Sequence, residues 1–326
     1  MATLTHDVPV AQAPTSRFAA GLGFAVVSAM SFGLSGALAK GLLVEGWSPA
    51  AAVTARIAVA ALVLAPPALI ALRGRWHLVR RNARLIVVYG LVTIAGCQFA
   101  YFSAVEYLQV GVALLLEYTA PVAVIGWLWL RHGQRPGLLI TIGCLVAGGG
   151  LVLVLDVVTG VGLHPLGVLW ALLAMVGAAT YFVLSAQEGN GLPPIVLAAA
   201  GMVVGAVSLL LLGAVGLLEM SWSTGPATYA GTQVPWEVAV LGLGVVTAAV
   251  AYTTGIAAGR RLGSRLASFV ALNEVLFALA FAWLVLGEVP RAVQFVGGAL
   301  ILAGVVLVKL GEPRARVVDV SGRPVA

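Results

Sequence analysis

Ten times along its length the chain runs for 17 to 24 residues with at most one charge. These runs are 18–39, 50–72, 85–105, 109–130 and 137–155 in the first half, then 166–186, 195–218, 238–259, 266–287 and 292–308. About 20 apolar residues suffice to cross the hydrocarbon of a bilayer as a helix. Backbone groups in lipid must be satisfied within the segment, so each run predicts a transmembrane helix. Barrel strands would alternate over about ten residues, and these runs do not. Charged residues make up 9% of the chain and hydrophobic ones 61%, against roughly 25% charged in an average soluble domain. That balance excludes a water-soluble globule, and disorder requires the opposite composition.

Lysine and arginine set the expected orientation. With the N-terminus in the cytoplasm, 15 of the 18 fall in cytoplasmic segments, Lys40 and Arg291 fall outside, and Arg56 lies within a span. The expectation is an all-α protein of the plasma (inner) membrane, with ten transmembrane helices and both termini cytoplasmic. Its parts are a tail 1–17, a first unit 18–155, an external linker 156–165, a second unit 166–310 and a tail 311–326. The net charge of +6 follows from this placement. No basic run is interleaved with aromatics, so nucleic acid is not an expected partner. Ala37-Leu38-Ala39 has the small-residue form of a cleavage site, but the run before it is span-length and reads as an uncleaved first span. Two cysteines, Cys97 and Cys144, each inside an apolar run, make neither a disulfide framework nor a metal site.

A shift of 154 residues aligns 85–155 with 239–309 without gaps, with sixteen of the 71 positions identical. Gly133 and Pro136 fall on Gly287 and Pro290, Trp129 on Trp283, Gly143 on Gly297, and Gly150 on Gly304. Five spans is an odd number, so the second unit is inverted relative to the first. Inverted repeats are the architecture of secondary transporters, with the substrate site near the midplane where the units meet.

The run LQVGVALLLEYTAPVAV (108–124) resembles the fourth span of EamA-domain proteins of the drug/metabolite transporter superfamily. RLASFVALNEVLFALAFAWLVLGEVP (265–290) resembles the ninth. The resemblance spans about 20–310 as two EamA units. It implies a carrier that exports amino acids, other metabolites or drugs, and LEYTAP is similar to the segment of threonine/homoserine exporters. Two positions depart from the family pattern. Gly133-Gln134 stands where Gly-Glu is usual, and Glu274-Val275 where Glu-Pro is common.

Three charged residues lie within the spans: Arg56, Glu117 and Glu274. A charge at a helix centre costs about 2.5–3.5 kcal/mol on insertion scales, so each is expected to face the protein interior. Arg56 and Glu117 fall at similar depth, about 9–12 Å below the outer surface at 1.5 Å per residue. They either pair or jointly hold the two charges of a zwitterion. Otherwise Arg56 snorkels to the interface. Glu274 has no basic residue at its depth and is the first choice for a titrating or cation-binding carboxylate.

Gln98, Tyr101, Tyr118, Thr119, Tyr181, Tyr252 and Asn273 share that depth. Gln98 aligns with Tyr252 across the repeat, and Thr119 with Asn273. They line one cavity or else form ordinary interhelical hydrogen bonds. Pro66, Pro67 and Pro121 are expected to kink or break their helices. The external segment 219–237 is expected to lie along the interface.

Three rival functions fare worse. Gly33-Leu34-Ser35-Gly36 has the G-x-S-G form of an intramembrane serine protease, but all four histidines lie in tails or loops, and the serine needs a base. A channel requires a ring of charges or carbonyls, which three asymmetric charges do not make, and a non-transporting scaffold requires no buried charge. The reading is a secondary exporter of small metabolites with no cofactor, coupled to protons or a counter-substrate.

Overall fold

The computed structural model describes residues 14–120, 137–154, 163–185, 191–255, 257–258, 261–262, 270 and 272–311. Helix α1 (Pro14–Val44) and α2 (Pro49–Leu72) are joined by a tight turn. Ser48 caps α2, its Oγ accepting from Ala51 N at 3.3 Å, and Pro49 takes the first turn, where a missing N–H costs nothing. The helix continues without a break through Pro66 and Pro67. Pro121 lies outside the described residues.

The short α3 (His77–Arg81) precedes α4 (Ala83–Tyr107), and α5 (Val110–Glu117) follows after a two-residue turn. Next come α6 (Leu138–Val154), α7 (Pro165–Ser185), α8 (Pro194–Ala214), α9 (Trp236–Gly255), α10 (Asn273–Leu286) and α11 (Ala292–Gly311). By length and composition α1, α2, α4, α8 and α9 each suffice to cross a membrane. The apolar helices α6, α7, α10 and α11 are shorter in their qualifying stretches. Helices α5 and α10 are the described parts of the expected fourth and ninth spans.

The structure departs from an all-helical chain between α8 and α9. Strands β1 (Ala227–Tyr229) and β2 (Thr232–Val234) pair antiparallel, Thr228 opposite Gln233. Their turn, Ala230-Gly231, has φ of 49° and 76°, the positive pair that a tight hairpin's twist demands. The hairpin is tied to helix ends. Tyr229 Oη donates to Leu38 O at 2.7 Å and Ala230 N to Val285 O at 2.8 Å. Trp47 Nε1 donates to Ser223 O at 2.9 Å. Burial pushes the Tyr229 phenol up in pKa, and the Glu45 carboxylate adds to it, so the hydroxyl stays a donor. This hairpin end of the bundle lies opposite the arginine end, where Arg73, Arg75, Arg80, Arg81 and Arg84 surround α3.

Repeat-related helices meet in related ways. Helices α6 and α11 pack antiparallel. A Cβ on Gly143 would sit 2.7 Å from Gly304 O, and one on Gly150 would sit 2.5 Å from Gly297 O. These are two crossings of aligned glycines about one local two-fold. Helix α2 packs on α8 and α9, while α8 packs on α4, so the halves interlock. The interior is filled by Ile57, Leu64, Phe102, Met202 and Leu243, all fully buried. Outward, Leu62, Leu138, Leu145 and Trp283 present a wide apolar exterior, the surface that a bilayer solvates.

Candidate functional site

Midway along α4 and α9 the backbone leaves the α-helical register. Tyr89–Gly96 and Gly242–Val250 are π-helical, and the 154-residue shift lays one on the other. Such segments are rare and concentrate at functional sites. Immediately after them come Gln98 and Tyr252, the aligned pair, and they meet: Gln98 Nε2 donates to Tyr252 Oη at 3.4 Å.

Arg56 is anchored beside them. It is 3% exposed, so it points into the bundle and does not snorkel. Its Nη1 donates to Gln98 Oε1 in a short contact, and its Nη2 to Thr247 O at 2.8 Å, a carbonyl of the second π segment. The Phe102 ring lies 5.5 Å from the guanidinium carbon, within cation–π range. The buried Nε of Arg56 has no hydrogen-bond partner among the described residues.

The carboxylates hold other partners. Tyr118 Oη donates to Glu274 Oε2 at 2.8 Å. Glu117 Oε1 accepts from Cys97 Sγ at 3.6 Å, and that thiol also reaches Ala174 O at 3.4 Å. Glu117, Glu274, Tyr101 and Tyr252 all lie within electrostatic reach of Arg56. Among the described residues, however, the one ion pair joins Lys40 and Glu288, away from this centre. Similar depth therefore brings Arg56 and Glu117 into one neighbourhood, while Gln98 and a carbonyl take the guanidinium.

The remaining expected residues divide. Tyr101 packs on Phe102 with ring centroids 6.0 Å apart, its hydroxyl against Gly36. Tyr181 faces Tyr89 at 6.3 Å. Thr119 and Asn273, aligned in sequence, do not bond to each other. Thr119 Oγ1 donates to Leu116 O at 2.7 Å, and Asn273 Nδ2 to Val270 O at 2.8 Å. Gly33 lets α1 close on α10, where a Cβ would lie 2.9 Å from Ala278 N, and among the described residues Ser35 Oγ has no hydrogen-bond partner. The small residues of that motif are contact surface.

Sequence reasoning missed Cys97, the Thr247 carbonyl and the pair Lys40–Glu288. Cys97 stood next to Gln98 but read as apolar filler. A carbonyl freed by a π turn has no sequence signal. Lys40 and Glu288 are visible charges at span ends, and nothing in one sequence says that the ends meet.

A lipid-facing exterior around a cluster of one buried guanidinium and two half-buried carboxyl groups defines an integral membrane protein, with its charge kept on the inside. Comparison with known proteins then gives the family. The model of the EamA-like transporter family matches residues 19–156 and again 165–310, and the chain belongs to that family. It is 27% identical over 303 residues to the threonine/homoserine exporter RhtA of Salmonella typhimurium, covering 90% of this chain and 94% of that one. An uncharacterized transporter of Archaeoglobus fulgidus is 28% identical over 226 residues, 68% of this chain and 74% of its own. A protein of known crystal structure shares the fold over 91% of this chain and 97% of its own, with a TM-score of 0.59 and 21% identity. The chain is thus a membrane transporter, homologous to an amino-acid exporter.

Proposed function

We propose that the chain is a secondary carrier that exports small zwitterionic metabolites, amino acids among them, across the plasma (inner) membrane by alternating access. Two inverted five-helix units, 18–155 and 166–310, form it, with the arginine end and both termini in the cytoplasm. The observation that carries this reading is Arg56. A guanidinium held rigidly by Gln98 and the Thr247 carbonyl, with a buried Nε–H still free, is suited to a substrate carboxylate. Glu117 and Glu274 supply negative charge for the ammonium, and Tyr101, Tyr118 and Tyr252 complete a polar lining. The cluster carries one formal positive and two formal negative charges, so a zwitterion leaves one negative charge uncompensated. A proton on Glu274 neutralises it, which makes Glu274 the coupling group. The similarity to RhtA favours amino acids over drugs.

Counterflow in proteoliposomes tests the reading. Vesicles loaded with amino acids and related metabolites are followed by mass spectrometry, first without and then with a proton gradient. Selective, saturable exchange is expected. Folded protein that exchanges nothing under either condition refutes the carrier.

A further inference from the structure

At the hairpin end, a second charged contact stands apart from the central cluster. Lys40 Nζ, on the last turns of α1, lies 2.8 Å from Glu288 Oε1 just beyond α10. The same ammonium donates to Leu108 O at 2.7 Å, in the turn between α4 and α5. The other carboxylate oxygen of Glu288 accepts from Val110 N at 2.9 Å, and Gln109 Nε2 reaches Val289 O at 3.5 Å. Two elements of the first half and one of the second are tied at a single point. The carboxylate is aimed by its backbone. Gly287, at φ 70°, ends α10 in the left-handed conformation, and Glu288 N turns back to Ala282 O at 3.1 Å, a geometry that glycine adopts without strain.

We propose that Lys40 and Glu288 are the latch that holds this carrier shut at its hairpin end, and that the latch opens once in each transport cycle. The inference rests on the alternating-access reading above, with the hairpin end outside. Below the latch, the seam between α1 and α10 runs straight to the central site. Gly33 abuts Ala278 N and Glu274 O, and Glu274 holds Tyr118. Parting α1 from α10 at Lys40 therefore opens the same seam that shields Glu274. In sequence, the residue aligned with Glu288 in the first half is the uncharged Gln134. The side chains are 20% and 15% exposed, so the pair is neither fully screened nor sealed from the water that opening would admit.

The test uses Cys97, buried beside Glu117, as the reporter after Cys144→Ser leaves it the one thiol. A charged, membrane-impermeant methanethiosulfonate is added to right-side-out or inside-out vesicles, and the labelling rate is measured. Losing a partly buried ion pair is expected to raise the rate about fivefold in Lys40→Met and in Glu288→Gln, from the hairpin side. The double variant is expected to gain no more than either single one, and the swap Lys40→Glu with Glu288→Lys to return towards the parent rate. Size-exclusion profiles identify any variant that fails to fold. Parent-rate labelling in both folded single variants overturns the latch, even if counterflow persists and the carrier reading stands. A rise confined to inside-out vesicles keeps the latch and reverses the orientation. In a second measurement, a short thiol-to-thiol crosslinker on Lys40→Cys with Glu288→Cys is expected to stop counterflow until reductant is added. Undiminished exchange in the crosslinked protein overturns the requirement for opening.

Discussion

Gly148, Gly149 and Gly150 follow one another in α6, and the structure assigns them unequal duties. A Cβ on either of the first two meets nothing within 4 Å, whereas one on Gly150 would stand 2.5 Å from Gly297 O and 2.8 Å from Ile301 N. Both obstacles are backbone, so relief requires α6 and α11 to part by roughly 0.5–1 Å, a gap that forfeits a quarter to a half of each pairwise contact along the seam. Overpacking of this kind costs about 1–3 kcal/mol. The gain from replacing a helical glycine returns about 0.5–1 kcal/mol, leaving a net loss centred on about 1 kcal/mol for Gly150→Ala. Gly148→Ala and Gly149→Ala carry only the gain. The assay is the midpoint of heat-induced loss of the monodisperse peak in detergent. Gly150→Ala is expected to lower it by a few degrees while the neighbouring variants hold or rise. Gly150→Ala with Gly297→Ala should cost less than the sum, since both wedge the same gap. A Gly150→Ala protein as stable as Gly148→Ala would refute the close crossing.

Three further outcomes are expected. Arg56→Ala removes the anchor for a substrate carboxylate and should weaken apparent affinity in counterflow by at least tenfold, for a charged hydrogen bond worth about 1.5–3 kcal/mol; unchanged affinity would remove Arg56 from the site. Glu274→Gln should abolish the response of flux to a proton gradient while sparing exchange, and a preserved gradient response would dismiss Glu274 as the coupling group. Ser48→Ala deletes a cap and the bonds of Ser48 Oγ to Glu219 O and Ser221 N, costing about 1–2 kcal/mol and exposing the 219–234 segment to protease; an unchanged digestion rate would contradict the tether.

What was legible in the sequence followed from period and composition. Apolar runs between charged stretches mark helices because lipid permits little else. The 154-residue shift brought out Gln98 with Tyr252, and these do touch. The same shift proposed Thr119 with Asn273. There it misleads, because alignment fixes position and not side-chain direction, and each residue bonds its own main chain instead. Depth placed Arg56 near Glu117 but could not foresee that a π-helical carbonyl would compete for the guanidinium. In a run where nearly every residue is apolar, the hydrophobic period that would betray a change of helical register is absent. The hairpin hid for a related reason. Ala230-Gly231 is a weak form of the Asn-Gly signal, and three-residue strands give almost no alternation to read.

The two π segments also have a mechanical meaning. A helix in α register resists bending through a continuous ladder of i to i+4 bonds. At Tyr89–Gly96 and Gly242–Val250 that ladder has already been exchanged for a wider, looser one. Strain applied to either helix collects there, at matched depth in both halves. One of these compliant stretches supplies a carbonyl to Arg56, and each leads directly into one member of the Gln98–Tyr252 pair. Flexing α9 therefore moves a carbonyl that grips the guanidinium, and flexing α4 moves Gln98, which grips it too. The repeat thus carries a joint along with the wall, and both joints lead to groups that hold the same charge.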